Sequence, residues 1–431
     1  MQNTKFKRLK IEGWRQFHAV DIELHPQLTI LTGANGAGKS TLLGLFTRHF
    51  GYQRPLFATP KTKGGVTSFV IGLFSAFKEN IGIGTKSKGG VIGQLEYSSG
   101  ASASLKMPAS PSLAYHVDLV GQQVVAGLHI DSHRSPNVYR HVSQFPSTAP
   151  SITDIGSSLN SELMHYYSNG GISQGSLYHI KMTLIQMSIF GHGNSTMEPI
   201  PELVKLFSGF EEKLRQIFPK SLGFKKLIIR SPEVILATNT GDFIVDSASG
   251  GIIKLFEITW QIFFFSQGRE SFAITMDEPE NHLHPSMQKS LIPSILSAFP
   301  HVQIIVATHS PFIISAMRES NVYVLRYLET DIVDHEADDD QSIRGLSGAR
   351  VIAEKLDTVN RAGTASEILR DVLGITTTIP DWAENRIDEI IQSYRDKEMT
   401  PETLKSLYAI LEKEGLASSY PSAIAELSRR K

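Results

Sequence analysis

The sequence predicts an α/β fold with a mixed, mostly parallel sheet at its core. Three stretches predict it. The apolar run Leu28-Thr29-Ile30-Leu31-Thr32 feeds Gly33-Ala34-Asn35-Gly36-Ala37-Gly38-Lys39-Ser40-Thr41, and a helix-forming run follows from Leu42 to Phe46. Ile274-Thr275-Met276 ends in Asp277-Glu278, and Val302 to Ala307 ends in Thr308-His309. The first is the strand–loop–helix setting of a phosphate-binding loop. The other two are short buried strands about thirty residues apart, room for one crossover helix between parallel neighbours.

Phe6 to Glu12 and Phe17 to Leu24 alternate apolar and polar residues around Gly13-Trp14-Arg15-Gln16. That pattern predicts two antiparallel strands ahead of the loop strand. Residues 52–90 read as long surface connections around Phe69 to Phe77. Their lysines, Lys61, Lys63, Lys78, Lys86 and Lys88, are either solvated or in contact with phosphate backbones. Val91 to Tyr97, Ala103 to Met107, Tyr115 to Val120 and Gln123 to Ile130 predict a meander, so an N-terminal antiparallel β lobe is expected over about 5–31 and 90–130.

Residues 151–218 predict a helical insertion, with amphipathic runs at Ser158–Tyr167, Tyr178–Phe190 and Pro201–Phe218 that are too short for a coiled coil. Strands resume at Lys225 to Arg230 and Glu233 to Ala237, with a hairpin turn expected at Gly241-Asp242. Helices over Gly250–Phe265 and Pro285–Phe299 and a strand over Ser320–Leu328 complete the first domain, placed at 1–345. A helical C-terminal tail is expected over 346–431, where Thr400-Pro401 starts a helix and Gly415 closes it.

Composition narrows the function. A net charge of −1 gives no global basic field, so any nucleic acid would be met through a local patch or a partner. The absence of cysteine excludes disulfides, thiolate zinc sites and cysteine nucleophiles. No signal-type stretch opens the sequence and no run of about 18 apolar residues occurs, so a soluble, cytoplasmic protein without a membrane partner is expected.

The loop carries the chemistry. Gly33, Asn35, Gly36, Ala37 and Gly38 present backbone N–H groups to a polyphosphate, and the helix start at Ser40 and Thr41 adds positive dipole. Lys39 would reach the β- and γ-phosphates of a nucleoside triphosphate, and the Ser40 hydroxyl would ligate Mg²⁺. Asp277 would hold the Mg²⁺ through water, and Glu278 would polarise the attacking water. His309, whose charge is adjustable near neutral pH, can donate to the γ-phosphate or to that water. Ser249-Gly250-Gly251, just before a helix, forms a second anion site of the helix-start kind.

These four stretches, in this order, resemble the ABC-type ATPases. The resemblance makes Ser249-Gly250-Gly251 the signature motif and His309 the switch histidine. It implies a head-to-tail homodimer in which each signature closes on the ATP of the other copy, with higher assemblies open. Ala248 and Ile252 stand where the family usually carries Leu and Gln. Leu9 to Phe17 looks like the opening strand of RecF-like and SMC-like heads, making Arg15 either a nucleotide contact or a surface arginine. The family's glutamine, which couples the sheet to Mg²⁺ and to the insertion, falls on Gln94 or on Gln144, the latter nearer the junction.

Asp277-Glu278-Pro279-Glu280 with Leu283-His284-Pro285, then Thr308-His309-Ser310-Pro311, resembles the overcoming-lysogenisation-defect (OLD) ATPases. His284 replaces the D-loop aspartate of other branches. Asp338-Asp339-Asp340 reads as a solvated acidic loop rather than a Toprim metal motif, so no nuclease domain is expected in this chain. A separate effector, a nuclease, is expected instead, as in the two-component Septu, PARIS and retron-associated ATPase pairs. Thr364 to Gly374 resembles the helical tail of some such ATPases. The resulting expectation is a dimerising, Mg²⁺-dependent ATPase that gates an effector in anti-phage defence. A RecF-type repair ATPase that binds DNA itself, and a nucleotide-gated scaffold with little turnover, are its rivals.

Overall fold

The computed structural model describes residues 4–63, 66–70, 90–108, 112–132, 139–144, 146–169, 175–328, 350–357, 365–369, 381–395, 397 and 400–429. The chain divides into two units, 1–363 and 364–431. The first opens with β1 (Phe6–Trp14), β2 (Phe17–Glu23), β3 (Leu28–Gly33) and α1 (Lys39–Thr47). Next come β4 (Leu56–Phe57), β5 (Thr59–Lys63), β6 (Val66–Val70), β7 (Val91–Tyr97), β8 (Ser102–Lys106), β9 (Ala114–Tyr115), β10 (Asp118–Val120) and β11 (Gly127–Ile130). The insertion is α2 (Ile152–Asn169), α3 (Ser176–His192) and α4 (Pro201–Ile217). It is followed by β12 (Phe224–Arg230), β13 (Glu233–Thr238), β14 (Gly241–Ile244) and α5 (Gly250–Ser266). The unit closes with β15 (Phe272–Asp277), α6 (Pro285–Ala298), β16 (Val302–Ala307), α7 (Pro311–Ile314), β17 (Asn321–Leu328) and β18 (Arg350–Lys355).

Eleven strands make one sheet, in the order β10-β8-β7-β1-β2-β18-β17-β3-β16-β15-β11. From β17 to β11 every neighbour is parallel. Every residue of β3, β15 and β16 is buried, which is why these strands read as continuous apolar runs rather than alternating ones. At the other end β2, β1, β7, β8 and β10 pair antiparallel, with one face exposed, and keep the alternating pattern.

The structure corrects several expected boundaries. β3 and β11, assigned to the antiparallel lobe, belong to the parallel core, because neither has an alternating face to leave in water. The first unit does not stop at 345: β18 lies between β17 and β2 in the main sheet, antiparallel to the one and parallel to the other. The Gly241-Asp242 turn moves to Asn239-Thr240, since Gly241 already pairs with Thr238. There the Thr238 hydroxyl accepts from Thr240 N at 3.3 Å and donates to Gly241 O at 2.6 Å. The connection after residue 52 contains the β5–β6 hairpin. Lys78, Lys86, Lys88, Asp338-Asp339-Asp340 and residues 370–374 lie outside the described residues.

α5 is mostly apolar because it is covered on all sides, and its Lys254, Glu257, Thr259 and Gln261 are buried with the rest. Residues 251 to 264 are all buried, with α2, α3 and α4 packed against them and β11 beneath. Phe210 of α4 meets Phe256, Trp260, Phe263 and Phe264 at centroid distances of 5.0–6.2 Å. The insertion is thereby fixed to the helix that carries Ser249 at its start.

Under α1, His49 illustrates how burial sets a charge state. Its Nδ1 lies 3.1 Å from Phe46 O and its Nε2 2.8 Å from the Tyr97 hydroxyl, so neutral imidazole donates at one nitrogen and accepts at the other. Burial pulls its pKa down from 6.5 to about 4. The unfolded chain therefore binds the proton first, and stability present above pH 6.5 is lost as pH falls toward 4. The expected loss is about 3 kcal/mol. Urea unfolding at pH 7 and at pH 4.5 should show a smaller pH effect in His49→Gln than in the parent; equal effects would place the acid sensitivity elsewhere.

In the second unit, helices Asp381–Tyr394, Pro401–Lys413 and Tyr420–Arg429 share a core of Ile387, Ile390, Leu407, Leu411, Ala423 and Leu427. Thr400 caps the middle helix through its hydroxyl, which accepts from Thr403 N at 3.3 Å, and Gly415 lies just past its end at φ 75°. Among the described residues, no helix is long and apolar enough to cross a membrane.

Candidate nucleotide site

The carboxyl ends of β3, β16, β15 and β11 lie side by side, the edge at which ligands of parallel sheets bind. β3 delivers the loop. A side chain at Gly33 would meet Leu325 O of β17 at 2.3 Å, so only glycine lets the two strands pair there. Gly38, at φ 98°, has the Phe17 ring and the Gln16 amide each 2.4 Å from where a Cβ would stand. The β1–β2 turn thus seats the loop, and it carries Arg15 at φ 50°, next to Tyr115. The turn is tighter than the sequence suggested, because Trp14 still pairs with Phe17.

Lys39 is folded back along the loop, its Nζ donating to Gly33 O and Ala34 O, both at 3.0 Å. Burial lowers its pKa to about 8, against the pull of Glu278, Asp277 and Glu280. Asp277, 8% exposed, is pushed up to about 6 by burial, with the Ser40 hydroxyl beside it opposing and Glu278 and Asp131 adding to the rise. Ser40 and Asp277 share a cavity of about 200 Å³ with Thr41, Arg48, Arg54, His129 and Tyr167. A hydroxyl at a helix start and a carboxylate at a strand end are hard oxygen donors suited to Mg²⁺. Among the described residues no three His, Asp or Glu side chains form a ready metal cage, so a cation here would keep waters and take phosphate oxygens.

Glu278 leaves the end of β15 at φ 43°, an uncommon conformation for a glutamate. Its N–H donates to Ala307 O of β16 at 2.8 Å, which ties the strained residue to the strand that leads to His309. His309 Nε2 lies 3.8 Å from Glu278 Oε1, and both side chains are about one-third exposed. Burial and the Lys39 charge lower the His309 pKa, Glu278 opposing. The geometry offers a carboxylate and a neutral imidazole to the same point in space.

Glu280 is a contributor that sequence reasoning left without a role. Its Oε1 accepts from the Thr308 hydroxyl at 2.6 Å and from His309 N at 3.0 Å, so it sets the backbone from which His309 projects. Its place in the Asp-Glu-Pro-Glu string was the available signal. Gln144 and Gln94 are both exposed and line no part of the cavity, Gln94 lying outward on β7. The first residue past the sheet edge beside Asp277 is Asp131, because β11 ends at Ile130 opposite Met276.

Ser249 and Gly250 are exposed at the start of α5, and they do not line the Ser40–Asp277 cavity. Ser249 stands at the N-cap without spending its hydroxyl on a capping bond. A buried ion cluster holds the turn before it. Lys181 of α3 donates to both Asp246 oxygens at 2.9 and 2.8 Å and to Arg140 O at 2.9 Å, with Glu233 at 3.6 Å. Removing one partner of such a cluster would strand the others without water.

A strand-end phosphate loop, an Asp-Glu strand and a His strand meet on one parallel edge, with a helix-start Ser-Gly-Gly outside the cavity beside Ser40, an arrangement that resembles an ABC-type ATPase. Two family matches cover parts of this unit, "AAA domain, putative AbiEii toxin, Type IV TA system" over residues 173–315 and "AAA domain" over residues 8–99. The chain resembles retron ATPases over short segments. It is 38% identical over 53 residues to "Retron Ec83 probable ATPase" of Escherichia coli, 12% of this chain and 10% of that protein. It is 29% identical over 56 residues to "Retron Vc95 probable ATPase" of Vibrio cholerae serotype O1 biovar El Tor, 13% of this chain and 11% of that protein. Among solved structures, the SMC head domain from Thermotoga maritima aligns at a TM-score of 0.41 with 11% identity, over 82% of this chain and 99% of that one. An SMC head bound to the C-terminal winged-helix domain of ScpA aligns at 0.40 with 13% identity, over 82% and 99%.

Proposed function

We propose that the chain is a Mg²⁺-dependent ATPase that works as a head-to-tail pair of copies and gates a separate effector, a nuclease, in anti-phage defence. Gly33 to Thr41 hold the triphosphate, Lys39 bridges its outer phosphates, and Ser40 and Asp277 serve the Mg²⁺. Glu278 takes the proton of the attacking water, and His309 donates a hydrogen bond to the γ-phosphate. Binding closes two copies, and hydrolysis lets them part.

The observation that carries the pairing is the placement of Ser249-Gly250-Gly251. A helix start with a free hydroxyl, exposed and away from the cavity beside its own phosphate loop, suits an anion brought by another molecule. The resemblance to retron ATPases supports the defence setting, and the exposure of Ser249 and Gly250 outside that cavity supports the pair.

Ser249→Arg tests it. The residue is exposed, so the variant should fold as the parent does. Light scattering should show ATP-driven association in the parent and none in the variant, with ATP binding to the single copy changed less than about threefold. Association that survives the substitution would remove the signature assignment.

A further inference from the structure

The sheet edge that carries Asp277 holds a further carboxylate that the motifs do not name. β11 and β15 are parallel neighbours with Ile130 opposite Met276, so Asp131 follows the sheet edge where Asp277 does, one strand spacing away. Arg54, which lines the cavity with Ser40 and Asp277, holds only one of the Asp131 oxygens: Nη2 donates to Oδ2 at 2.8 Å. Arg54 gives its Nε–H to Tyr167 O at 3.0 Å and lays its guanidinium 4.0 Å over the Tyr167 ring. The other oxygen, Oδ1, is buried with no hydrogen-bond partner.

A carboxylate whose role was to neutralise Arg54 would be expected to take the guanidinium with both oxygens. Here one is withheld, and a buried unpaired carboxylate oxygen is costly unless something arrives to meet it. The Tyr52 hydroxyl, on a residue 3% exposed, is also without a partner. Its ring packs against His129 and Tyr167, both on the cavity wall.

We infer that Asp131 serves the divalent cation of the nucleotide site together with Ser40 and Asp277, directly or through one water, while Arg54 fixes its orientation. The inference rests on the nucleotide reading above. It puts a carboxylate where a glutamine was sought, and through Arg54 and Tyr167 it joins the cation to α2 of the insertion.

Binding of a fluorescent ATP analogue, titrated with Mg²⁺, tests this without turnover. In Asp131→Asn the Mg²⁺ concentration for half-maximal binding should rise about tenfold, the low end of what outer-shell metal partners contribute. Binding in EDTA should stay equal or tighten, since a negative charge near the triphosphate is gone. A titration that superimposes on the parent's overturns the inference, and so does Arg54→Gln reproducing the whole shift. A parent with no Mg²⁺ dependence overturns the nucleotide reading as well, which separates the two failures. Should Asp131→Asn not fold, Fe²⁺ in place of Mg²⁺ on the unaltered chain, with ascorbate and peroxide, should cut the backbone near residues 40, 131 and 277. Cuts at 40 and 277 alone overturn it.

Discussion

Glu278→Gln should lower ATP turnover by about 10²- to 10⁴-fold, the contribution typical of a positioned general base. The amide matches the carboxylate in shape, so the φ of 43° and the N–H bond to Ala307 O should persist. What it loses is the ability to take a proton. ATP affinity should then change little, and the variant should accumulate as an ATP-bound pair. Phosphate release at saturating ATP reads the first effect, and sedimentation with ATP and Mg²⁺ reads the second. Turnover within threefold of the parent would mean that Glu278 is not the base. An unchanged cellular function alongside abolished turnover would favour a nucleotide-gated scaffold.

Lys39→Ala should act one step earlier, on binding. The ammonium now shared by Gly33 O and Ala34 O would be turned to the phosphates, where a charge-assisted contact is worth about 1.5–3 kcal/mol. ATP should bind about 10- to 100-fold more weakly. The empty protein should be little harmed, because its buried cation is already held down to about 8. Thermal unfolding separates the two: the ATP-induced rise in Tm should disappear while Tm without ATP stays within a few degrees. A variant that keeps the ATP-induced rise would contradict the assigned role of the loop.

Much of this site is legible because its residues sit in strings at the ends of wholly buried, largely apolar strands. Gly33 to Thr41, Asp277-Glu278 and Thr308-His309 each pair a buried run with a polar stop, and parallel pairing brings those stops to one edge. What could not be read depends on contacts across long stretches of chain. β11 looks like one more strand of a meander, and only its pairing with β15 puts Asp131 next to Asp277. Arg54 belongs to an unremarkable loop until Tyr167 and Asp131 close around it. Gln144 is near the junction in sequence only, and it is exposed. β18 escaped notice because its partners, β2 and β17, lie on either side of it in the sheet but far apart in the chain.

The central claim is that one catalytic site is shared between two copies, and the absence of cysteine from the sequence makes that directly measurable. Asn35→Cys in the loop of one copy and Ala248→Cys beside Ser249 in another, both carrying Glu278→Gln, would be mixed and treated with a short bis-maleimide. A covalent dimer containing one of each should form with ATP and Mg²⁺ and not without. A cross-link that forms equally without ATP, or none between the two copies while ATP is bound, would contradict it.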